Sequence, residues 1–571
     1  MKKLIPYLKP YIASISLGLF IKFMGTITDL LLPWILAHMI DHIVPQSSIR
    51  LILLWGLMMV FCSIFAISAN ITANHMASRV ARDTTKQIRH DLFKKISYLS
   101  CSQVDDFTMP SLISRLTSDT YHVHNMIGMM QRMGVRAPIL ILGGILVTLT
   151  LDFYLTLVLL AVLPFIIILV YFISKKSIPL YDKLQQSVDK MVRTLRENIT
   201  GIRVIKALSK TDYEKNRFSK INTEVVEDEK KAAMTMAITS PMMNLFLNLG
   251  LTVVILVGAY RVNNGLTQPG KIIAFLTYFT IILHAMLSIS RIFVIFSKGN
   301  ASFQRINEVL QASEDLVLQE KDTIDSPYHI SFDHVSFSYY NQQENLTDIS
   351  FHLRQGETLG IIGTTGSGKS TIIKLLMRFY DVDKGIIRIH GRNINSIPQE
   401  ELHTKFGVVF QNDVLFADTI AENIDFGRGL ALEEIAASSC FAQAEEFITS
   451  LSDGYTHLLT AKGSNLSGGQ KQRLLISRAL AGNPEILILD DSSSALDYRT
   501  DAKLRKSLYE NFQSTTTIIV AQRVSSIMHA HRILVLEDGK VLGYGNHEEL
   551  LKSCKSYQEM NQWQMGDGRH D

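Results

Sequence analysis

From Leu51 to Ala73 the chain runs without a charged side chain, and a stretch of that length dictates its surroundings before any motif is read. A helix crosses bilayer hydrocarbon in about 20 residues, and only helices and closed barrels satisfy their own backbone there. Phe153 to Ser174 is a second such run. Ala137 to Leu151 is shorter and is extended back toward Met126 to make a third. Tyr11 to Val44, Leu245 to Tyr260 with the turns before it, and Ile272 to Ser290 bring the total to about six spans. Hydrophobic residues make up 47% of the 571-residue chain and the net charge is only +4. That balance favours a lipid bilayer as partner and supplies no field for nucleic acid, and no zinc-finger or RNP-type signature is present. Cys62, Cys101, Cys440 and Cys554 lack metal-ligand spacing and read as free thiols in a reducing compartment. Lys2 and Lys3 precede an apolar stretch with no cleavage pattern after it, so this stretch reads as a first span and not a removable signal.

Lysine and arginine set the expected orientation. The second and third spans are joined by a stretch carrying Arg79, Arg82, Lys86, Arg89, Lys94, Lys95 and Arg115. The fourth and fifth are joined by one carrying Lys175, Lys176, Arg193, Arg196 and Arg203. The opposite loops are short: Asp41 to Arg50, Asp152 itself, and Arg261 to Gly270. The positive-inside rule then places both termini and both long connections in the cytoplasm, with the chain multi-pass in a plasma (bacterial inner) membrane. The connections are rich in helix formers and read as spans continuing into long cytoplasmic helices, the alternative being a separate soluble insertion. Lys22 and Asp29 sit seven residues apart in the first span, and His284 and Arg291 repeat that spacing in the last. Such charges either line an aqueous cavity or pair with neighbouring helices, and the sequence leaves both open. Asn244 and Asn248 read as interhelical hydrogen-bonding residues.

The second half has a different grammar. Residues 311–328 turn acidic and polar (Glu314, Asp315, Glu320, Asp322, Asp325, Pro327) and read as a linker between a membrane domain, 1–310, and a domain spanning 329–571. Gly363-Thr364-Thr365-Gly366-Ser367-Gly368-Lys369-Ser370 fits the phosphate-loop pattern G-x-x-x-x-G-K-[ST] between an apolar strand, Thr358 to Ile362, and a helix beginning near Thr371. The glycines let successive N–H groups curl around phosphate oxygens, Lys369 reaches the β- and γ-phosphates, and Ser370 can ligate Mg²⁺. The chain therefore binds a nucleoside triphosphate. Tyr339 follows an alternating strand and can stack on an adenine ring or pack in the core. Gln411 ends the strand Val408 to Gln411, where an amide can reach Mg²⁺ or the attacking water. Leu466-Ser467-Gly468-Gly469-Gln470 opens an apolar helix and is built to receive an anion, though not the phosphate held by Lys369 unless another surface brings it there. Ile486 to Leu489 is a buried parallel strand ending in Asp490 and Asp491, where Mg²⁺ is held beside a phosphate loop. Ser492 to Asp497 forms the loop that follows, and Ile518 to Ala521 is a further buried strand ending in Gln522.

The order Tyr339, phosphate loop, Gln411, LSGGQ, ILILDD, SALD and Gln522 resembles the ATP-binding cassette (ABC) family, and the first half resembles the six-span domain of its exporters. The resemblance covers essentially the whole chain. It implies an α-helical membrane domain of six transmembrane helices, followed by an α/β P-loop NTPase domain with a helical subdomain. ATP and Mg²⁺ are the implied cofactors. Leu112 to Leu116 and Gly201 to Lys206 resemble the family's cytoplasmic coupling segments. The family implies that two such halves pair, each ATP lying between one chain's phosphate loop and the other chain's LSGGQ.

Two positions depart from the family pattern. The catalytic position after the magnesium aspartate is normally glutamate and here is Asp491. The switch position on the later strand is normally histidine and here is Gln522. The first withdraws a carboxylate by about one bond, and a misplacement of about 1 Å can cost on the order of 10²-fold in rate. The second replaces a group that can carry a proton with one that cannot. Ala461 stands where exporters usually place a glutamate. The expectation is a subunit of a heterodimeric multidrug-type exporter that retains ATP, hydrolyses it slowly, and lends its intact LSGGQ to a competent partner site. A homodimeric slow ATPase, or an ATP-gated regulatory membrane protein with little transport, is the alternative. Import is disfavoured because spans and cassette share one chain. The short stretch before the first span leaves no room for a peptidase domain, which argues against processing-coupled peptide export.

Overall fold

The computed structural model describes residues 3–313, 315–339, 344–492 and 495–565. Lys2, Glu314 and the serines at 493 and 494 of the expected loop lie outside them. The chain divides into two compact units. One comprises Met1–Tyr98 and Thr108–Ala312, the other Leu99–Phe107 and Ser313–Asp571.

Among the described residues of the first unit six helical runs are long and apolar enough to cross a membrane: Ile5–Gln46, Ile49–Ser97, Met109–Leu151, Phe153–Thr200, Thr211–Asn263 and Pro269–Leu310. The helix Ile49–Ser97 has 49 residues, about 70 Å at 1.5 Å per residue, more than twice the hydrocarbon thickness. The basic connections are therefore continuations of the spans, with no separately folded insertion among the described residues. The third run does extend back past Met126. It breaks between the helices Thr120–Arg132 and Arg136–Leu151. Pro138 cannot donate to the carbonyl of Gly134, and its ring crowds that turn, so the helix restarts.

Two expectations about this unit are corrected. Leu112 to Leu116 is not the segment that groups with the nucleotide unit. Leu112 is buried, and Arg115 pairs with Glu308 at 3.1 Å. The segment that groups with the nucleotide unit is the short helix Cys101–Phe107, where Ser100 Oγ donates to Asp315 (2.5 Å) and Tyr380 Oη donates to Asp105 (2.6 Å). Gly201 to Lys206 leads into an exposed helix, Ile202–Ala207. Asn244 and Asn248 are exposed and make no interhelical hydrogen bond among the described residues. Asn70 and Asn74 make such bonds instead, Asn70 donating to Asp29 (3.3 Å) and Asn74 accepting from Lys22 Nζ (3.0 Å).

The second unit is built on two sheets. Strands β1 (Ile330–Phe337), β2 (Leu346–Leu353), β4 (Lys384–Ile389) and β5 (Arg392–Asn393) form an antiparallel sheet in the order β2-β1-β4-β5. Strands β3 (Thr358–Gly363), β6 (Phe406–Val409), β7 (Ile486–Asp490), β8 (Thr516–Val520), β9 (Arg532–Glu537) and β10 (Lys540–Gly545) form the other, in the order β10-β9-β3-β8-β7-β6. All its pairings are parallel except β9 with β10. β7 is buried at every position, as a strand covered on both faces must be. A helical layer including Leu432–Phe441 and Gly468–Leu480 packs with Val409, Leu487 and Leu489 in one apolar cluster.

Residues 315–328, read as a linker, are tied to this unit. Gln319 N–H donates to Asn395 O (2.9 Å), Ile324 N–H to Gly391 O (3.0 Å), and Asp322 O accepts from Asn393 N–H (2.9 Å). Arg378, only 1% exposed, bonds Asp381 (2.9 Å), Asn395 O (3.2 Å) and Val317 O (2.8 Å). A lysine cannot hold three such partners in one plane. Arg378→Lys is therefore expected to cost about 1–2 kcal/mol, read as a lowered urea midpoint with faster proteolysis at residues 315–328. An unchanged midpoint would show that the guanidinium does not hold this segment.

Candidate nucleotide-binding site

The chemistry-bearing residues of the second unit converge because parallel strands deliver their carboxyl ends to one edge. β3 ends in Gly363, β7 in Asp490 and β8 at Val520, and a cavity of about 200 Å³ opens there. Its lining includes Gly366, Lys369, Ser370, Gln411, Asp490, Asp491 and Gln522. Residues that the sequence scatters from 363 to 522 thus share one concavity.

The loop's glycines are sterically required at two places. A Cβ on Gly363 would meet Leu536 O at 2.1 Å, and Gly368 sits at φ +95° with Leu346 2.5 Å from a would-be Cβ. With the loop so shaped, Lys369 Nζ donates to its own carbonyls, Gly363 O (2.9 Å) and Thr364 O (2.8 Å). Burial lowers the Lys369 pKa, and the opposing pull of Asp490 and Asp491 does not cancel that. Asp490 is 5% exposed, and burial raises its pKa, with a Ser370 hydrogen bond pulling the other way. Asp491 is raised by burial too, against the attraction of Lys369 and Arg523. Burial outweighs the nearby cations Lys369, Lys374 and Arg523 at both carboxylates. Ser367 is 1% exposed with its Oγ unpartnered. These features fit a phosphate chain in the loop and a hard cation among Ser370, Gln411 and Asp490, whose oxygen donors suit Mg²⁺.

The two altered positions touch. Gln522 Nε2 donates to Asp491 Oδ2 at 3.1 Å. Asp491 stands at φ +52°, its N–H bonded to Val520 O (2.9 Å), a left-handed turn that aspartate tolerates better than most residues. Sequence reasoning placed both residues at strand ends but not in contact. It also missed Asn345, which lines the cavity and accepts from Tyr339 N–H (2.9 Å). It missed Gln564 as well, whose side chain donates to Gln522 O (2.8 Å) and accepts from Val524 N–H (2.7 Å). No pattern in the sequence marks a C-terminal glutamine as the clasp of a loop some forty residues upstream.

Tyr339 is half-buried and packs edge-on against Phe337 (4.9 Å) and Tyr380 (5.2 Å), with Lys374 Nζ 5.4 Å over its ring. It lies beside the cavity without lining it. Leu466 to Gln470 is not part of the cavity. Ser467 caps the helix Gly468–Leu480 in a reciprocal box with Gln470 (3.3 and 2.9 Å), and Ser467 and Gly468 face solvent.

A family profile described as "ABC transporter transmembrane region" matches residues 15–286, and one described as "ABC transporter" matches residues 346–494. The chain belongs to the ABC transporter family. It is 36% identical over 570 residues to YfiB of Bacillus subtilis, an uncharacterized ABC transporter ATP-binding protein, covering 99% of both chains. It is 32% identical to YknU of the same organism, covering 99% of this chain and 97% of the relative. In fold it resembles a solved bacterial Atm1-family ABC exporter with ATP bound, at TM-score 0.83 and 23% identity over 99% of each chain. Spanning unit and cassette in one polypeptide make this ABC protein a half-transporter of the exporter fold.

The spanning unit has its own cavity, about 380 Å³, whose lining includes Asp29, Arg136, Thr280, His284 and Ser288 among apolar side chains. Asp29 pairs with Arg136 at 3.0 Å. Of the four polar residues singled out in the spans, Asp29 and His284 meet here. Lys22 is buried against Asn74 and Arg291 is exposed, neither on the lining.

Proposed function

We propose that this half-transporter is the degenerate-site subunit of a heterodimeric ABC exporter. In this reading it holds ATP and Mg²⁺ on its own phosphate loop, cleaves ATP slowly, and completes the partner's site with Leu466 to Gln470. The observation that carries the reading is the 3.1 Å hydrogen bond between Gln522 and Asp491. Both groups that would activate water are altered, and they are satisfied by each other. Lys369, Ser370 and Asp490 keep the residue types that binding needs. Ser370, Gln411 and Asp490 would hold Mg²⁺, which when bound would supply positive charge against the phosphates. Gln411 lies just past the end of β6, and Lys369 would exchange two loop carbonyls for phosphate oxygens. Asp491, one methylene short, holds a proton acceptor too far back, and Gln522 cannot take up charge as it develops. Tyr339 offers its ring to the adenine.

In the paired transporter, ATP would favour the closed arrangement by binding it more tightly, and hydrolysis at the partner's site would reset it. The spanning cavity, apolar with one ion pair and one imidazole, suits a small or amphipathic substrate. Both termini would lie in the cytoplasm. Because Leu466 to Gln470 is intact, a second copy of this chain could also be served, and that homodimer would carry two slow sites.

Reconstituted alone in nanodiscs, the chain is expected to bind ATP but to turn over about 10²-fold more slowly than a cassette with glutamate and histidine. Vanadate should trap little ADP behind Lys369. Rapid turnover that disappears on Asp491→Asn would overturn the degenerate-site reading. ATP-driven efflux from vesicles only when an unlike half is co-reconstituted would separate the heterodimer from the homodimer.

A further inference from the structure

On the far side of the nucleotide unit lies a cluster that nucleotide chemistry leaves unused. His329, immediately before β1, is 2% exposed. Its Nδ1 is 2.6 Å from Thr516 Oγ1, and its Nε2 is buried without a hydrogen-bond partner. Thr516 Oγ1 also accepts from Gly356 N–H (3.2 Å), and its own hydrogen points toward Arg354 O (3.5 Å). The consistent assignment has His329 Nδ1–H donating to Thr516, which leaves a bare lone pair on Nε2. His390, in the turn between β4 and β5, stacks on this ring at 4.1 Å between centroids, held there by its N–H to His329 O (2.8 Å). His390 Nε2 is 3.5 Å from Glu485 Oε2, and Lys405 Nζ donates to Glu485 Oε1 (2.9 Å) and Oε2 (3.1 Å). One ligand atom from each of His329, His390 and Glu485 lies within 4.8 Å of the others.

We propose that His329, His390 and Glu485 form a binding site for a divalent transition metal of the Zn²⁺ class. Two imidazoles and one carboxylate are a donor set for Zn²⁺, with water completing the fourth position, and not one for Mg²⁺. Metal–nitrogen bonds of about 2.0–2.1 Å bring tetrahedral ligand atoms to about 3.3 Å apart, so the cluster must contract. His390 and Glu485 are exposed and can rotate inward, whereas His329 is fixed by Thr516, the outer-shell hydrogen bond that orients a metal-bound imidazole. Glu485 can keep Oε1 on Lys405 while Oε2 binds the ion.

The position defines the role. Glu485 precedes β7 and Thr516 begins β8, whereas Asp490 and Val520 end them at the phosphate cavity. Five residues of strand separate the two ends by about 16 Å, so the ion takes no part in phosphoryl chemistry. It joins the start of β1 and the β4–β5 turn of one sheet to the start of β7 in the other, just where residues 315–328 enter β1.

The test uses the full chain in nanodiscs, with no polyhistidine tag, stripped by chelator and dialysed against Zn²⁺. Bound metal is counted by elemental analysis, and thermal unfolding is followed with and without Zn²⁺. Wild type should bind one equivalent more than His390→Ala or Glu485→Gln, and Zn²⁺ should raise its Tm by about 2–4 °C while leaving both variants unmoved. Both substitutions are at exposed positions, and binding of a fluorescent ATP analogue should be the same in all three proteins. Equal zinc content in wild type and both variants, or no zinc retained by wild type, overturns the site. If His390→Ala does not fold, the Glu485→Gln comparison decides alone.

Discussion

Asp491→Glu combined with Gln522→His is expected to raise the ATPase rate of the isolated chain by about 10²-fold, with KM for ATP changed less than about threefold. The asymmetry follows from where the two residues sit. Neither bears on the parts that would hold the nucleotide, which are Lys369, Ser370 and the loop backbone, so binding should survive. In the proposed reading both bear on the water. In the wild type, Gln522 Nε2 donates to Asp491 Oδ2 at 3.1 Å, which draws the carboxylate onto the neighbouring strand. A glutamate adds the missing methylene, and a histidine replaces an amide with a group that can carry a proton. A factor of 10² corresponds to about 2.7 kcal/mol of barrier. Against this stands the left-handed backbone at position 491 (φ +52°), where glutamate costs more than aspartate but within about 1 kcal/mol. The gain should therefore survive the strain. Each single change should fall well short of the pair, because the two groups share one hydrogen bond. If the double variant stays within about twofold of wild type in steady-state phosphate release, these two positions do not limit hydrolysis.

Much of the nucleotide site was legible because its chemistry depends on local spacing. Gly363 to Ser370 needs only a strand, a curl and a helix, and a parallel strand that ends in Asp490 must deliver that side chain to the same edge. The long helices were legible too, since apolar runs that merge into charged, helix-forming stretches have few other folds open to them. What escaped was decided by partners distant in sequence. Arg115 lies within a segment that resembles a coupling segment, yet it is held by Glu308 on another helix. Asn244 and Asn248 read as interhelical hydrogen-bonding residues, but which helix face they occupy depends on packing that no local pattern encodes. The acidic stretch beginning at Asp315 looked like a free linker because its partners, among them Ser100, Arg378, Arg388 and the backbone of residues 391–395, stand elsewhere in the chain. The zinc-class cluster joins residues far apart in the chain whose spacing matches no metal motif.

Asp152 illustrates the same point, and it carries the largest stability effect expected in the spanning unit. In the sequence it is merely the short connection between two apolar runs. In the structure it is 8% exposed and does two things at once. Its side chain caps the helix Phe153–Thr200, accepting from Tyr154 N–H (3.0 Å) and Leu155 N–H (3.2 Å). It also pairs at 3.1 Å with Arg261, whose side chain is 17% exposed and lies 4.5 Å over the Tyr154 ring. Asp152→Ala would remove the cap and leave Arg261, whose Nε already lacks a partner, as a largely buried charge without its carboxylate. Breaking a buried pair from one side costs about 3–5 kcal/mol. Asp152→Asn keeps an oxygen for the two N–H groups and loses only the charge, so it should retain the cap's share of about 1 kcal/mol. The double change Asp152→Ala with Arg261→Met removes the stranded cation and should recover most of the loss. Reversible unfolding in mixed micelles would measure all three. A loss below about 1 kcal/mol for Asp152→Ala, or no recovery in the double variant, would show that the ion pair is solvated and leave only the helix cap to account for the burial of Asp152.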